Sequence, residues 1–521
     1  MWHGFILSYV RQRPHDQYFW KRLNHFIAGP ITVPHLKIGS LEVIGRHINA
    51  LFTRELLRQL SGSRNERVPL DGPPAGTFVG HVLSRSLIPE IEQALTNTRG
   101  ELRAEYEAAF GDLRAAEKPV AAADRLGKRL RTLQATYLPL REQDGAISVL
   151  SDYGILPSYA FPLYVDELRL NHVPTDRPPR SELKLQRDRR IALQEYMPGK
   201  VFVACKTMII ADGVWAGYEE RFFRVCTNRE CQVMDFAENA PHTCPACHSQ
   251  RTTLTALIPR SGFFGSQAES ISEQDTELVR QRGETYFDPA NEPPPVYICH
   301  GDAMDIAIIG SSIMEQAASR PRMRQFNPRP HSDLTLEMVP SAERDLALPN
   351  IPPVHCLKRG SGALARRFHL MHEFTTDIVR IQILPNETGH LLASSPALQA
   401  KLTDNTENMR RRYYWDCFRR SLGEAIVAAA SQLLDIDQSE IGITFHPSVH
   451  VVGGKELILF DTAPGGAGYA TRAVQYIREV FETAEKILAS CECGDSCYSC
   501  YSCLRSYNDQ MFHQRLNRHY I

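Results

Sequence analysis

The sequence predicts a mixed α/β (α+β) protein with a helical N-terminal part, a central β-rich region and a C-terminal α/β domain. Three observations carry this expectation. Apolar residues recur at helical spacing near the N-terminus, short apolar and aromatic runs replace them in the middle, and nine of the thirteen cysteines fall in two tight clusters, one central and one C-terminal.

Residues 1–150 form the helical part. Ile44, Ile48, Leu51, Phe52 and Leu56 lie three to four apart, which builds one apolar helix face that needs a partner. Between 66 and 150, RGELRAEYEAAFGDLRAAEK and RLGKRLRTLQ read as solvent-facing helices separated by Pro and Gly breaks. Residues 151–320 change pattern: VFVACKTMII and GVWAGYEERFFRV read as strands between turns. The Pro- and Arg-rich stretch 321–360 is expected to be a linker. Beyond it, 361–521 read as strand (RIQILP), long helix (MRRRYYWDCFRRSLGEAIVAAASQLL), two strands (EIGITFHP and ELILFDT), a glycine turn, a helix over 468–489 and a cysteine tail. On that last helix Val474, Ile477, Phe481, Ala484 and Leu488 share one face.

Length and composition bound the function. A chain of 521 residues can bury several ordinary cores without disulfides. The formal net charge is −1, so any polyanion site must be a local patch. No run approaches the roughly 20 apolar residues of a spanning helix, and the first apolar stretch is too short for a signal peptide, which predicts a cytoplasmic protein with no membrane partner. In a reducing compartment, clustered cysteines point to metal.

The central cluster has a zinc-ribbon spacing. Four residues lie between Cys226 and Cys231, two between Cys244 and Cys247, and twelve residues separate the pairs. Each pair can present two thiolates from one turn, and two facing turns complete a closed tetrahedral site, which is structural because a catalytic zinc keeps a position open. His242 and His248 are expected to be bystanders. At the C-terminus Cys491, Cys493, Cys497, Cys500 and Cys503 offer five thiols for four positions. A second four-thiolate zinc site is expected there, fastening the chain end to the preceding helix.

The segment DTAPGGAGYA, with Asp461, Gly465, Gly466 and Gly468, follows a strand and opens a helix. Such a turn could cradle phosphate through backbone N–H groups, but no Walker lysine follows it, and a structural turn that uses positive φ is the expectation. The sequence contains no GxxxxGK[ST], no DExH box and no GxSxG, so no phosphate-loop ATPase or hydrolase nucleophile is expected and the chain reads as no enzyme. Cys299-His300-Gly301-Asp302, with Asp305, is an isolated group, and Cys205, Cys356 and Cys417 read as small buried thiols.

The segment from Leu457 to Ile521 resembles the MrfA-like zinc-binding domain, a module at the C-terminal end of a class of superfamily-two DNA helicases and of DISARM-type phage-defence proteins. The resemblance rests on the D-T-x-P-G-G-x-G turn from Asp461 to Gly468 and on a C-x-C-x3-C-x2-C set matched by Cys491, Cys493, Cys497 and Cys500. The Leu-Arg-Ser-Tyr tail that follows the family's last cysteine aligns instead on Cys503 to Tyr507, three residues later. Upstream, 16–52, 154–162, 185–203 and the ribbon are similar to the region that follows the helicase core in this family.

The resemblance implies a part of a helicase system in DNA repair or phage defence that lacks the ATPase lobes. The expected role is a non-catalytic accessory subunit with two structural zinc ions, docked on a separately encoded helicase ATPase and contributing DNA binding, with no small-molecule substrate. Arg411 and Arg412, in the arginine and aromatic stretch 410–415, and the tail residues Arg505, Arg515 and Arg518 are the candidate phosphate contacts. The alternative is a protein-interaction adaptor in a defence complex that never touches DNA.

Overall fold

The structure is a computed structural model. It describes residues 14–22, 41–60, 72–97, 99–110, 118–136, 145–157, 165–170, 185–204, 207–215, 218–228, 233–236, 241–245, 248–259, 262–268, 284–288, 297–299, 304–312, 322–327, 334–340, 355–360, 362, 365–385, 407–447, 455–491, 493–494, 497–506 and 509–521.

The architecture is mixed α/β, with a helical N-terminal region, a central β region and a cysteine cluster near the C-terminus. After a short helix α1 (Pro14–Trp20), the N-terminal region consists of α2 (Leu41–Leu60), α3 (Ala75–Ser84), α4 (Leu87–Thr96), α5 (Glu101–Phe110), α6 (Pro119–Thr136) and α7 (Ala146–Asp152). Ile44, Ile48, Phe52 and Leu56 of α2 are buried against Phe78, Ile91, Leu126, Leu130 and Val149. Full burial of a side chain such as Phe52 stabilises by about 2–3 kcal/mol. The segments expected to face solvent are more deeply engaged than their charge suggested. Tyr106 of α5 stacks on Phe52 with ring centroids 6.2 Å apart, and Leu126, Leu130 and Leu133 of α6 are buried, because a few apolar residues at helical spacing suffice to seat a helix whose other faces are charged.

A thirteen-stranded sheet of the described residues follows the order β2 (Leu185–Asp188), β1 (Val165–Leu170), β8 (Phe263–Ala268), β4, β14, β13, β15, β7, β5 and β6 (Met234–Asp235), with β3 (Val201–Ala204), β9 (Glu284–Asp288) and β12 off that path. Its strands include β4 (Thr207–Val214), β5 (Glu219–Cys226), β7 (Arg251–Ile258), β12 (Arg322–Asn327), β13 (Leu334–Pro340), β14 (His355–Arg359) and β15 (Arg366–Thr375). Alternation is visible on β5, where Phe223 is buried and its neighbour Phe222 is 63% exposed. Residues 321–360, expected as a linker, instead supply three of these strands. Short alternating runs such as LTLEMV suffice to form a strand when a neighbour completes the ladder, and the prolines around them masked that pattern.

A second, five-stranded antiparallel sheet runs β10-β11-β16-β18-β17 and joins Tyr297–Cys299 and Met304–Ser312 to Ile378–Pro385, Lys455–Asp461 and Ile441–Pro447. The long helix α8 spans Glu407–Leu434 and packs Leu422, Ala425, Ile426 and Ala429 into one core with Leu457 and Leu459 of β18. The other face of β18 puts Ile458 and Phe460 against Phe374 and Ile378, so the strand is buried on both sides. The helix expected over 468–489 is two helices, α9 (Tyr469–Gln475) and α10 (Ile477–Ala489), broken at Tyr476. No helix among the described residues is long and apolar enough to cross a membrane.

Candidate metal centre

The site begins at the corner between the two sheets. Thr376 and Asp377 connect β15 to β16, and Asp461 ends β18 beside them. The Asp461 carboxylate accepts from the backbone N–H groups of Ala467 (2.5 Å), Tyr469 (3.1 Å) and Ala470 (2.7 Å). Asp377 accepts from Gly468 N–H at 3.2 Å. The donors that a phosphate would need are therefore taken by the protein's own carboxylates, and the glycine turn acts as an internal cap for α9. Gly466 sits at φ +68 with an ideal Cβ only 2.2 Å from Asp377 Oδ2, so no side chain fits. Burial, reinforced by the Asp377 charge, pushes the Asp461 carboxyl up to about 7 against the opposing pull of the helix N–H groups.

From this anchor α9 and α10 lead to Cys491. The Sγ atoms of Cys491, Cys493, Cys500 and Cys503 lie within 4.8 Å of one another, the metal-ligating group found among the described residues. Cys491 and Cys500 sulfurs are 3.4 Å apart, Cys500 and Cys503 sulfurs 3.7 Å. A tetrahedral ion with Zn–S bonds of about 2.3 Å sets its sulfurs about 3.8 Å apart, so this donor set fits zinc. The 500–503 turn is formed as a knuckle, with the N–H of Ser502 donating to Cys500 Sγ (3.3 Å) and that of Cys500 to Cys503 Sγ (3.1 Å). The Cys503 thiol donates to Cys500 and, with the Ser502 N–H, holds Cys500 down at about 4, whereas burial pushes Cys493 up to about 12. A cation at the centre would replace the protons that its neighbours lend to Cys500. Cys497, matched by the family spacing, stands outside the group of four and points its thiol at the Ser499 carbonyl, 3.3 Å away.

The candidate arginines of the tail have work inside the fold. Arg518 donates to the carbonyls of Cys491 (3.2 Å) and Gly494 (2.8 Å), Arg515 pairs with Asp416 (2.7 Å), and Arg505 Nε donates to Ser499 Oγ (2.9 Å). Arg411 and Arg412 lie on the long helix, and their side chains fall outside the described residues. Of the four cysteines expected to form a ribbon, Cys226 at the end of β5 and Cys244 are both fully buried in one cluster with Val233. Their turns are closed by Cys226 N–H to Val233 O (3.0 Å) and Cys244 N–H to Ser249 O (2.8 Å). Cys231 and Cys247 lie outside the described residues, as do Cys205, His300 and Asp302, while Cys356 and Cys417 are buried single thiols.

Two contributors had no signal in the sequence. Tyr18 and Phe19 of α1 pack on Tyr501 of the knuckle at 4.9 and 5.8 Å between ring centroids. Arg46 of α2 donates to the carbonyl of Gly465. Both contacts cross hundreds of residues of chain, a distance at which local periodicity carries no information.

Residues 422–501, from the middle of the long helix through Tyr501, match the MrfA Zn-binding domain family. Over 98% of its length the chain is 23% identical to Druantia protein DruE of Escherichia coli (strain UMEA 4076-1), and it spans 31% of that relative's length. Among solved structures it is similar to the DUF1998 helicase MrfA bound to DNA, at a TM-score of 0.30 and 8% identity over 78% of this chain and 44% of that one. A second crystal structure, of MrfA bound to DNA and AMPPNP, matches at a TM-score of 0.24 and 8% identity over 79% of this chain and 44% of that one. Three of the four cysteines of the cluster, Cys491, Cys493 and Cys500, fall inside the stretch that matches this family, and Cys503 lies two residues beyond it.

Proposed function

We propose that this chain is a non-catalytic, zinc-stabilised part of a cytoplasmic DNA helicase system serving repair or phage defence. It docks on a separate ATPase and adds a DNA-contacting surface. The observation that carries the reading is the overlap of the MrfA Zn-binding domain match with three of the four thiols of a compact group that fits zinc. The lack of GxxxxGK[ST] and DExH motifs in its 521 residues supports assigning ATP hydrolysis to the partner.

In this reading the chain binds two structural ions. One is held by Cys491, Cys493, Cys500 and Cys503, the other by Cys226, Cys231, Cys244 and Cys247. Zinc supplies a covalent-like cross-link that fixes loops which bury little apolar surface by themselves. The chain's own residues do the rest: Arg518 ties down the first cysteine loop, and α1 stacks on the knuckle.

DNA contact is assigned to the knuckle end of the molecule. Trp20 (50% exposed), with Lys21 and Arg22 beside it, ends the helix that stacks on Tyr501, and Tyr498 (63% exposed) stands between the two cysteine pairs. Exposed aromatics with cations form a stacking platform for single-stranded nucleic acid. The test is the affinity of the full chain for a fluorescent single-stranded oligonucleotide across a salt series. The reading expects affinity that falls steeply with salt and drops on Trp20→Ala and Tyr498→Ala, by roughly 1–3 kcal/mol for each lost stack. Absence of binding at low salt overturns the DNA assignment and leaves an adaptor that contacts protein alone.

A further inference from the structure

We propose that the C-terminal centre has two interchangeable coordination registers. Cys491, Cys493 and Cys500 are common to both, and the fourth position passes between Cys503 and Cys497. The proposal rests on the zinc reading above and deepens it.

Three observations lead here. The first is the repeat Cys497-Tyr498-Ser499-Cys500-Tyr501-Ser502-Cys503, which contains two overlapping Cys-x-x-Cys turns that share Cys500 and have identical intervening residues. Whatever lets 500–503 form a knuckle is therefore available to 497–500. The second is the position of the fifth thiol. Cys497 is half-buried beside the centre, with its thiol donating to the Ser499 carbonyl at 3.3 Å and its N–H donating to Gly494 O at 3.1 Å. It is one neighbour away from the metal position.

The third is space on the opposite side. Cys503 lines a cavity of about 390 Å³ between the knuckle and the long helix, together with Glu424, Ser431, Gln432 and Arg505. Open volume thus adjoins Cys503, in a fold whose interior elsewhere resists shifts of side chains.

The exchange balances without any oxidant. The Zn–S bond to Cys503 breaks as that to Cys497 forms; Cys497 loses its proton, Cys503 gains one, and the centre keeps four thiolates and the same charge. The site thus tolerates loss of either outer cysteine but of none of the three shared ones.

The experiment counts zinc per full-length chain by elemental mass spectrometry in wild type, C497S, C503S, the C497S/C503S double variant and C500S. Any ribbon ion is common to all five and cancels in the comparison. The proposal expects C497S and C503S each to keep the wild-type count, and the double variant and C500S each to lose one ion. A C503S chain that loses its ion as C500S does overturns it. If wild type and C500S hold the same zinc, the zinc reading itself fails. A second measurement needs no variant at Cys503: iodoacetamide labelling of the zinc-loaded chain should modify Cys503 several-fold faster in wild type than in C497S, because only Cys497 can release it. Equal rates overturn the exchange.

Discussion

The guanidinium of Arg46 donates to the carbonyl oxygen of Gly465 at 2.8 Å across 419 residues of sequence. Beside it, Thr375 Oγ1 donates to the carbonyl of Asp152 (2.6 Å) and Gly465 N–H to that of Thr375 (2.7 Å). These bonds join the N-terminal helices to the corner between the sheets, and thus to the turn that launches the zinc-bearing segment. Arg46→Met keeps the bulk and removes the charged donor, and it is expected to destabilise by about 2 kcal/mol, read as a lower urea midpoint. Arg54→Met, which removes an exposed partner of Glu105 on the same helix, should leave the midpoint unchanged.

Two glycines at positive φ separate steric from conformational demand. At Gly466 a Cβ meets the Asp377 carboxylate, while at Gly494 (φ +78) it meets nothing within 4 Å. Gly494→Ala should cost only the left-handed backbone strain, about 1–2 kcal/mol. Gly466→Ala adds a collision with buried, packed groups and should yield insoluble or unfolded protein. Thermal melts of equal severity for the two variants would contradict this placement of the turn.

The buried Asp461 carboxyl gives stability a definite pH dependence. Its folded pKa of about 7 lies above the ordinary 3.8, because burial and then Asp377 disfavour its charge. A raised folded pKa means that the fold holds the proton more tightly, so this contribution is complete below the unfolded pKa and is lost as pH rises through the folded one. Asp461→Asn has no proton to lose. The stability difference between wild type and D461N should therefore shift against wild type as pH rises from about 4 to about 7 and level off above. A difference that stays constant over that window would contradict the assignment.

Arg518 braces the first cysteine loop through the carbonyls of Cys491 and Gly494. Arg518→Ala should speed zinc transfer to a competing chelator several-fold with little change in helix content, and Arg518→Lys should restore part of the retention. Unchanged transfer kinetics would return Arg518 to the list of surface arginines available to DNA.

Much of the local structure was legible in the sequence. The spacing of Ile44, Ile48, Phe52 and Leu56 marked a core helix face, and the short apolar runs in ELILF and RIQILP marked strands. The cysteine spacing indicated thiolate sites but could not decide among five thiols, because the overlapping Cys-x-x-Cys turns are chemically alike. That choice depends on the path of the chain after Ala489. The participation of 321–360 in the large sheet was illegible, since prolines interrupt its short strands and β14 completes its ladder with the distant β4 as well as with its neighbour β13. Arg515 and Arg518 read as phosphate contacts because local sequence cannot reveal an acceptor such as Asp416, 99 residues away.

The most direct test of the functional account is affinity purification of the tagged chain from its native cell, in moderate salt with nuclease present, followed by mass spectrometry. The account expects a stoichiometric partner that carries the Walker and DExH motifs this sequence lacks, retained after the DNA is digested. Recovery of the chain without any such ATPase would contradict the docking role at its root.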